Sequence, residues 1–261
     1  MNQYLITVRN TLLISGLLLL APSLYAADKV KTITAADDTE IDIRIFSSQK
    51  KHGNKLLIGF ACDQGKSMAE EETSQALAKD GIEVWMPDML SAYMLPKVRS
   101  SLHDIPTDGL IKIIEEAKKT NKKIYLVASG PDTGLILRAV ADWENTHTGD
   151  DKLLGGAILM FPRLNKGKPE PGKAPVYHDA VGKTKLPLMI LEGGRTPNRW
   201  GIGHLTNALK KSGSTVYAKL IPDVRGYFFK REDTNAPEDL VTLQMSGLIK
   251  ASLFFLGKAH K

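Results

Sequence analysis

Cysteine is nearly absent from this chain, whose single cysteine, Cys62, excludes any disulfide within the protein. An exported domain without disulfides has to rely on its buried core, which suits a periplasm better than a harsher external medium. The chain also contains only six histidines, and no pair of them has metal-ligand spacing with Cys62. The sequence therefore predicts neither a metal site nor any other cofactor.

Aromatic residues are also scarce, at 7% of the chain, and they do not alternate with clustered basic residues. The 35 Lys and Arg residues exceed the 29 Asp and Glu residues, which gives a formal net charge of +6. Many lysines occur in pairs, such as Lys118-Lys119 and Lys210-Lys211, at the ends of predicted helices, where cations complement the helix dipole. This distribution indicates solvated surface, and it excludes a nucleic-acid-binding stripe.

Apolar runs long enough to span a membrane are missing as well, and the longest apolar run lies at the N-terminus. Arg9 precedes the apolar run Thr11–Leu20, and small residues follow at Ala26-Ala27, which is the pattern of a secretory signal peptide. The run is shorter than the ~20 residues of a membrane span. We expect a signal peptide at residues 1–26, a periplasmic protein and no integral membrane segment after cleavage. A secreted protein and an uncleaved N-terminal membrane anchor are the alternatives.

The remaining residues, 27–261, are enough for one domain with a well-buried core. Val30–Thr34 and Glu40–Phe46 alternate apolar and polar residues, which predicts an antiparallel hairpin. Apolar runs without alternation predict strands that are covered on both faces: Lys55–Ala61, Lys123–Ala128, Gly156–Phe161 and Leu186–Leu191. Helical spacing between these runs, and in a final helix Leu240–Leu256, predicts an α/β fold with a mostly parallel, doubly wound sheet.

The ligand site of such a sheet lies beyond the carboxyl ends of its strands. After the run Lys123–Ala128, the segment Gly130–Gly134 fits the pattern G-x-D-x-G. Small residues around a central one permit the strand-to-helix turn that raises a nucleophile above the sheet. With this motif and the order of its predicted strands, residues 27–261 resemble the α/β-hydrolase family.

The resemblance implies that Asp132 stands at the nucleophile position, as in relatives that open epoxides or displace halides. Ser129, at the strand end, is a second candidate nucleophile, whereas Asp132 is also suited to cap a helix that begins at Thr133. By the same resemblance, the oxyanion loop after the first buried strand contains Cys62, Asp63 and Gln64.

Two further positions of the family's triad carry unusual residues by this resemblance. Thr196 stands where the acid is expected, and a neutral hydroxyl cannot stabilise an imidazolium as a carboxylate does. Arg225 stands where the histidine is expected, and a permanently protonated guanidinium cannot act as a general base. The resemblance thus implies a degenerate triad of Asp132, Thr196 and Arg225, in which we expect Asp132 and Arg225 to form an ion pair.

These positions favour an exported, non-catalytic protein that binds a small molecule or a periplasmic partner. The alternative is a hydrolase of ester, epoxide or carbon–halide bonds that uses Asp132 or Ser129. In that case His204 or His178 would serve as the catalytic base.

Overall fold

A computed structural model describes residues 29–60, 68–147, 152–170 and 172–259. The predicted signal peptide lies outside the described residues, and so does the predicted oxyanion loop with Cys62, Asp63 and Gln64. Both therefore remain predictions.

Within the described residues, an eight-stranded sheet has the order β1-β2-β4-β3-β5-β6-β7-β8. β1 and β2 form an antiparallel hairpin, β2 pairs antiparallel with β4, and the pairs from β4 to β8 are parallel. The strands are β1 Lys29–Thr34, β2 Glu40–Phe46, β3 Lys55–Gly59, β4 Ile82–Pro87, β5 Lys123–Ser129, β6 Leu154–Met160, β7 Leu188–Gly193 and β8 Val216–Ile221.

Helices cover both faces of this sheet. They are α1 Met68–Lys79, α2 Met89–Ala92, α3 Thr107–Lys118, α4 Asp132–Thr146, α5 Ile202–Leu209, α6 Ala236–Leu243 and α7 Met245–Lys258. Short 3₁₀ turns occur at Arg99–His103, Pro197–Gly201, Lys210–Ser212 and Phe228–Lys230. The predicted α/β class, with a mostly parallel doubly wound sheet and an N-terminal hairpin, is confirmed.

The final helix differs from its prediction, because the apolar periodicity of Leu240–Leu256 is divided between α6 and α7. An N-terminal capping box between Asn235 and Glu238 starts α6 earlier, and Gln244 leaves the helical conformation between the two helices. No single helix of the described residues is long and apolar enough to span a membrane. Together, α6 and α7 reach that length and apolar composition, but the two helices are bent by 65° relative to each other.

The core forms two layers because side chains alternate across each strand. Leu56, Ile58 and Leu126 point to the layer that contains the buried residues of α3 and α4. Leu57 and Ile158 point to the opposite layer, which contains those of α1 and α7. We call these sides of the sheet the α3/α4 face and the α1/α7 face.

Candidate functional site

The turn between β5 and α4 lies at the carboxyl edge of the sheet. β5 ends at Ser129, and α4 begins at Asp132 after Pro131. Gly130 has a left-handed backbone with φ +58°. Its N–H donates to the Met160 carbonyl at 2.8 Å, while the Thr133 hydroxyl donates to the Gly130 carbonyl at 2.6 Å. The left-handed apex, where the α/β-hydrolases that this chain resembles carry their nucleophile, is therefore Gly130, two positions before Asp132.

An aromatic ring covers this apex. A Cβ atom added to Gly130 would lie only 2.6 Å from Cε2 of Tyr227. Tyr227 is 4% exposed, and the Arg163 guanidinium lies 5.3 Å from the centre of its ring. Glycine fits the turn for two reasons, since it tolerates the left-handed backbone and leaves room for the ring.

The two candidate nucleophiles lie on different sides of the turn. Asp132 is 2% exposed in the first turn of α4 and lines a cavity of about 20 Å³ beside Met89 and Leu135. The residue that caps α4 is Pro131, so Asp132 is inside the helix rather than ahead of it. Ser129 is half-buried and lines a much larger cavity.

The turns after β7 and β8 meet beside this edge. Thr196 caps the 3₁₀ turn Pro197–Gly201 by accepting a hydrogen bond from the Asn198 N–H at 3.4 Å. A Cβ atom added to Gly226 would lie 3.2 Å from Thr196 Oγ1 and 3.3 Å from Glu192 Oε1. The position after β8 that faces Thr196 is thus Gly226, one residue beyond the predicted Arg225.

Glu192 is a buried carboxyl group that the sequence-based prediction missed. It lies near the end of β7, is 1% exposed and accepts the Gly193 N–H at 2.8 Å. Burial raises its pKa to about 7, against the smaller opposing effects of the Gly193 N–H, the Asn198 side chain and Arg163. The signal in the sequence was an acidic residue that directly continues the apolar run Leu186–Leu191.

Arg225 forms its ion pairs away from the β5–α4 turn. Its Nε and Nη2 atoms donate to the two carboxylate oxygens of Glu238 at 2.7 and 2.6 Å, and Nη1 donates to Asp233 at 2.9 Å. The prediction of an Asp132–Arg225 ion pair is wrong, because α6 places Glu238 directly beside Arg225. The hydrogen bonds from Arg225 outweigh burial and lower the pKa of Glu238 to about 2.

The two histidines that were proposed as bases stand outside the larger cavity. His204 is exposed on α5, whereas His178 is half-buried with its ring 5.3 Å from the ring of His103. Burial is the main cause that lowers the pKa of His178, and the neighbouring His103 adds to it. Among the described residues, no group of three or more His, Cys, Asp or Glu side chains is placed to hold a metal ion.

The larger cavity has a volume of about 780 Å³ and lies between the α1/α7 face of the sheet and helices α1, α6 and α7. It reaches the centre of the sheet, where Val127 and Ser129 of β5 are only half-buried. Its size falls within the ~300–1,000 Å³ that is typical of small-molecule sites. The described residues that line it include no histidine.

No family model and no curated protein sequence matches this chain. Solved structures do resemble it. Esterase 2 of Thermogutta terrifontis, phosphoramylated by tabun, has a TM-score of 0.59 and 15% identity over 86% of this chain and 94% of that one. Est1E from Butyrivibrio proteoclasticus has a TM-score of 0.59 and 13% identity over 87% of this chain and 98% of that one.

An arylesterase is similar at a TM-score of 0.59 and 15% identity, over 87% of this chain and 84% of that one. At these identities the likeness concerns the fold. The chain has the α/β-hydrolase fold, as the resemblance of its β5–α4 turn implied.

Proposed function

We propose that this α/β-hydrolase-fold protein binds a ligand in its larger cavity and does not catalyse acyl transfer at the β5–α4 turn. The observation that carries the proposal is the glycine at the apex of that turn, beneath the ring of Tyr227. Covalent catalysis needs a nucleophile at this point and a base within hydrogen-bond reach. Gly130 has no side chain to attack a carbonyl, and the ring occupies the space that one would need.

The opposite side of the edge supports the same proposal. Gly226, which faces Thr196, has no side chain to accept a proton from a nucleophile. Arg225 is engaged by Glu238 and Asp233, and a guanidinium does not act as a base at neutral pH. Thr196 caps a 3₁₀ turn and carries no charge with which to stabilise an imidazolium.

The proposed setting of this binding protein is the periplasm. Arg9, the apolar run Thr11–Leu20 and the small residues Ala26-Ala27 support export by a signal peptide. The partner is accordingly a small molecule or another periplasmic protein. N-terminal sequencing of the protein from a periplasmic extract should give Ala27 as the first residue. Recovery of the whole protein with Met1 or Asn2 in the membrane fraction would contradict cleavage and favour the anchored alternative.

Labelling with a fluorophosphonate tests the absence of a serine nucleophile. We expect the intact mass of the protein to stay unchanged under conditions that fully label an active serine esterase. A single stoichiometric adduct on Ser129, absent from Ser129→Ala, would overturn the proposal. Labelling that persists in Ser129→Ala, together with scattered adducts on surface tyrosines, would be non-specific and would leave Ser129 excluded as the nucleophile.

Hydrolysis is the second candidate function, and two observations favour it. Ser129 lies half-buried in the wall of the 780 Å³ cavity, and the similar structures carry the names of esterases. If Asp132 instead attacks an epoxide or haloalkane, a single turnover in ¹⁸O-labelled water should place the label in the Asp132 carboxylate. The labelled carboxylate, or the Ser129 adduct above, would establish this alternative.

A further inference from the structure

We propose that the cavity on the α1/α7 face binds an amphipathic molecule with an apolar chain and a cationic head group. This inference rests on the proposed function, which gives the protein a ligand without naming its chemistry. It follows from three properties of the cavity: its apolar depth, its access to the centre of the sheet and the charge at its mouth.

The deep part of the cavity is lined mainly by apolar side chains, beside the hydroxyl groups of Ser74 and Ser129. The sheet and helices α1 and α7 contribute large aliphatic and thioether side chains, namely Leu57, Leu77, Val84, Met86, Met160 and Ile249. Buried polar groups without partners are costly, so such walls favour a ligand segment that has no hydrogen-bonding atoms. Methionine side chains are flexible and adapt to chains of different shape.

The cavity also leaves apolar surface accessible where a packed core would cover it. β5 is an interior strand of the sheet, yet Val127 is half-buried, while its neighbour Leu126 on the other face is fully buried. Apolar groups of a ligand stabilise the complex when they leave water for such a surface. An apolar chain against Val127 would therefore restore the packing that the protein itself does not provide.

Polar and charged side chains gather at the mouth of the cavity. Glu232 and Asp239 contribute two exposed carboxylates, and Arg231 is the cation among the described lining residues. The Arg231 guanidinium already lies 3.7 Å from a carboxylate oxygen of Asp233. The surplus of negative charge opposes an anionic head group and attracts a cationic one.

An apolar lip adjoins this mouth on α6. Leu243 lines the cavity and is nevertheless 80% exposed, and Leu240, one turn earlier on the same helix, is 52% exposed. Exposed large aliphatic residues that are adjacent on a helix mark a binding surface more often than isolated ones do. The lip would contact the part of the apolar chain nearest to the head group.

Displacement of a fluorescent apolar probe, N-phenyl-1-naphthylamine, tests the ligand class in the full chain. Competitors share a twelve-carbon chain and differ in the head group: dodecylamine and dodecanoate, each below the concentration at which it forms micelles. We expect dodecylamine to displace the probe at a concentration at least tenfold lower than dodecanoate. Equal or tighter competition by dodecanoate would overturn the assignment of charge.

Two substitutions that fill the cavity locate the probe. Val127→Trp places an indole in the cavity from the sheet, and Thr73→Trp does so from α1. The matched control is Val30→Trp on β1, where the native side chain is 61% exposed. We expect at least tenfold weaker probe binding in each cavity variant that retains the circular dichroism of the wild type, and no change in Val30→Trp. Unchanged binding in folded Thr73→Trp would overturn the site.

Charge neutralisation at the mouth separates the head-group claim from the chain claim. In the double variant Glu232→Gln with Asp239→Asn, the probe should bind as before. The ratio of the dodecanoate concentration to the dodecylamine concentration that displaces it should fall about tenfold. An unchanged ratio would contradict the role of these carboxylates. If the wild type hydrolyses esters and yet binds the probe as described, the proposed function fails while this inference holds. If the wild type neither hydrolyses esters nor binds the probe, this inference fails while the absence of catalysis in the proposed function holds.

Discussion

The two faces of the sheet are built from the same strands and are packed to different extents. On the α3/α4 face, Leu126 and its neighbours from α3 and α4 are fully buried, and the cavity near Asp132 measures only about 20 Å³. On the α1/α7 face, the neighbouring residue Val127 opens onto about 780 Å³. Both faces bury apolar side chains, and the difference indicates that the α1/α7 face also leaves space for a ligand.

An ion pair connects α6 to the segment that follows β8 on the open side. Glu238 has no exposed side-chain surface, and Arg225 binds both of its carboxylate oxygens. Because α6 contributes Asp239, Thr242 and Leu243 to the wall of the cavity, this pair fixes one side of the cavity in place. One wall of the cavity thus depends on a charged contact, in addition to the apolar burial that both faces share.

The largest effect is expected from the loss of that contact. Arg225→Gln leaves the Glu238 carboxylate, which has no exposed side-chain surface, without its cation, and should lower the free energy of unfolding at pH 7 more than the substitutions below. Urea unfolding measures the change. Because the pKa of Glu238 is lowered to about 2 from 4.5, its stabilising contribution is present above pH 4.5 and is lost as the pH falls towards 2.

A matched control is available at a more exposed arginine of the same segment. Arg231 is 46% exposed and lies 3.7 Å from Asp233, so Arg231→Gln should change stability by less than about 1 kcal/mol. If Arg225→Gln were as mild as this control, the contact between α6 and the β8 segment would not be what holds the open face together.

Truncation of adjacent residues on β5 compares the two faces directly. Leu126→Ala removes a fully buried side chain from the packed face and should cost about 2–5 kcal/mol. Val127→Ala removes a half-buried side chain beside the cavity and should cost about 1 kcal/mol. Equal losses in urea unfolding would mean that the open face is packed as tightly as the other one.

The buried carboxyl group of Glu192 gives the protein a pH dependence of its own. Its pKa is raised from 4.5 to about 7, so the folded state keeps a proton that the unfolded state loses first. Stability from this group is complete below pH 4.5 and falls by about 3 kcal/mol as the pH rises through 7. Glu192→Gln should remove that slope, whereas Glu72→Gln, on the exposed side of α1, should retain it.

The last comparison concerns the β5–α4 turn. Gly130→Ala forces a Cβ atom against the Tyr227 ring in a left-handed backbone and should cost about 2 kcal/mol. In a Tyr227→Leu background the cost should shrink by about 1 kcal/mol, since the two residues are in contact. The control is Gly203→Ala on α5, where no atom lies within 4 Å and a small stabilisation is expected.

The sheet could be predicted because its central strands are short apolar runs, which are typical of buried strands. Lys123–Ser129 and Leu154–Met160 lack alternation, which is the pattern of strands that are covered on both faces. The bend at Gln244 could not be predicted, since the apolar periodicity continues from α6 into α7. Local hydrogen bonds at the capping box decide where α6 begins, and these leave little trace in periodicity.

The register of the candidate site could not be read from the sequence either. Gly130 and Asp132 both fit a small-residue turn, and the point at which β5 ends decides between them. β5 continues to Ser129, which pairs with Met160, and so the left-handed position falls on Gly130. The partner of Arg225 is similarly decided by the placement of α6, thirteen residues further along the chain.

Multiple-turnover hydrolysis of p-nitrophenyl butyrate tests the central claim most directly. We predict that the rate with wild-type protein equals the rate with the double variant Ser129→Ala, Asp132→Asn, and that neither rises in proportion to protein concentration. A rate that is proportional to wild-type protein and disappears in the double variant would contradict it.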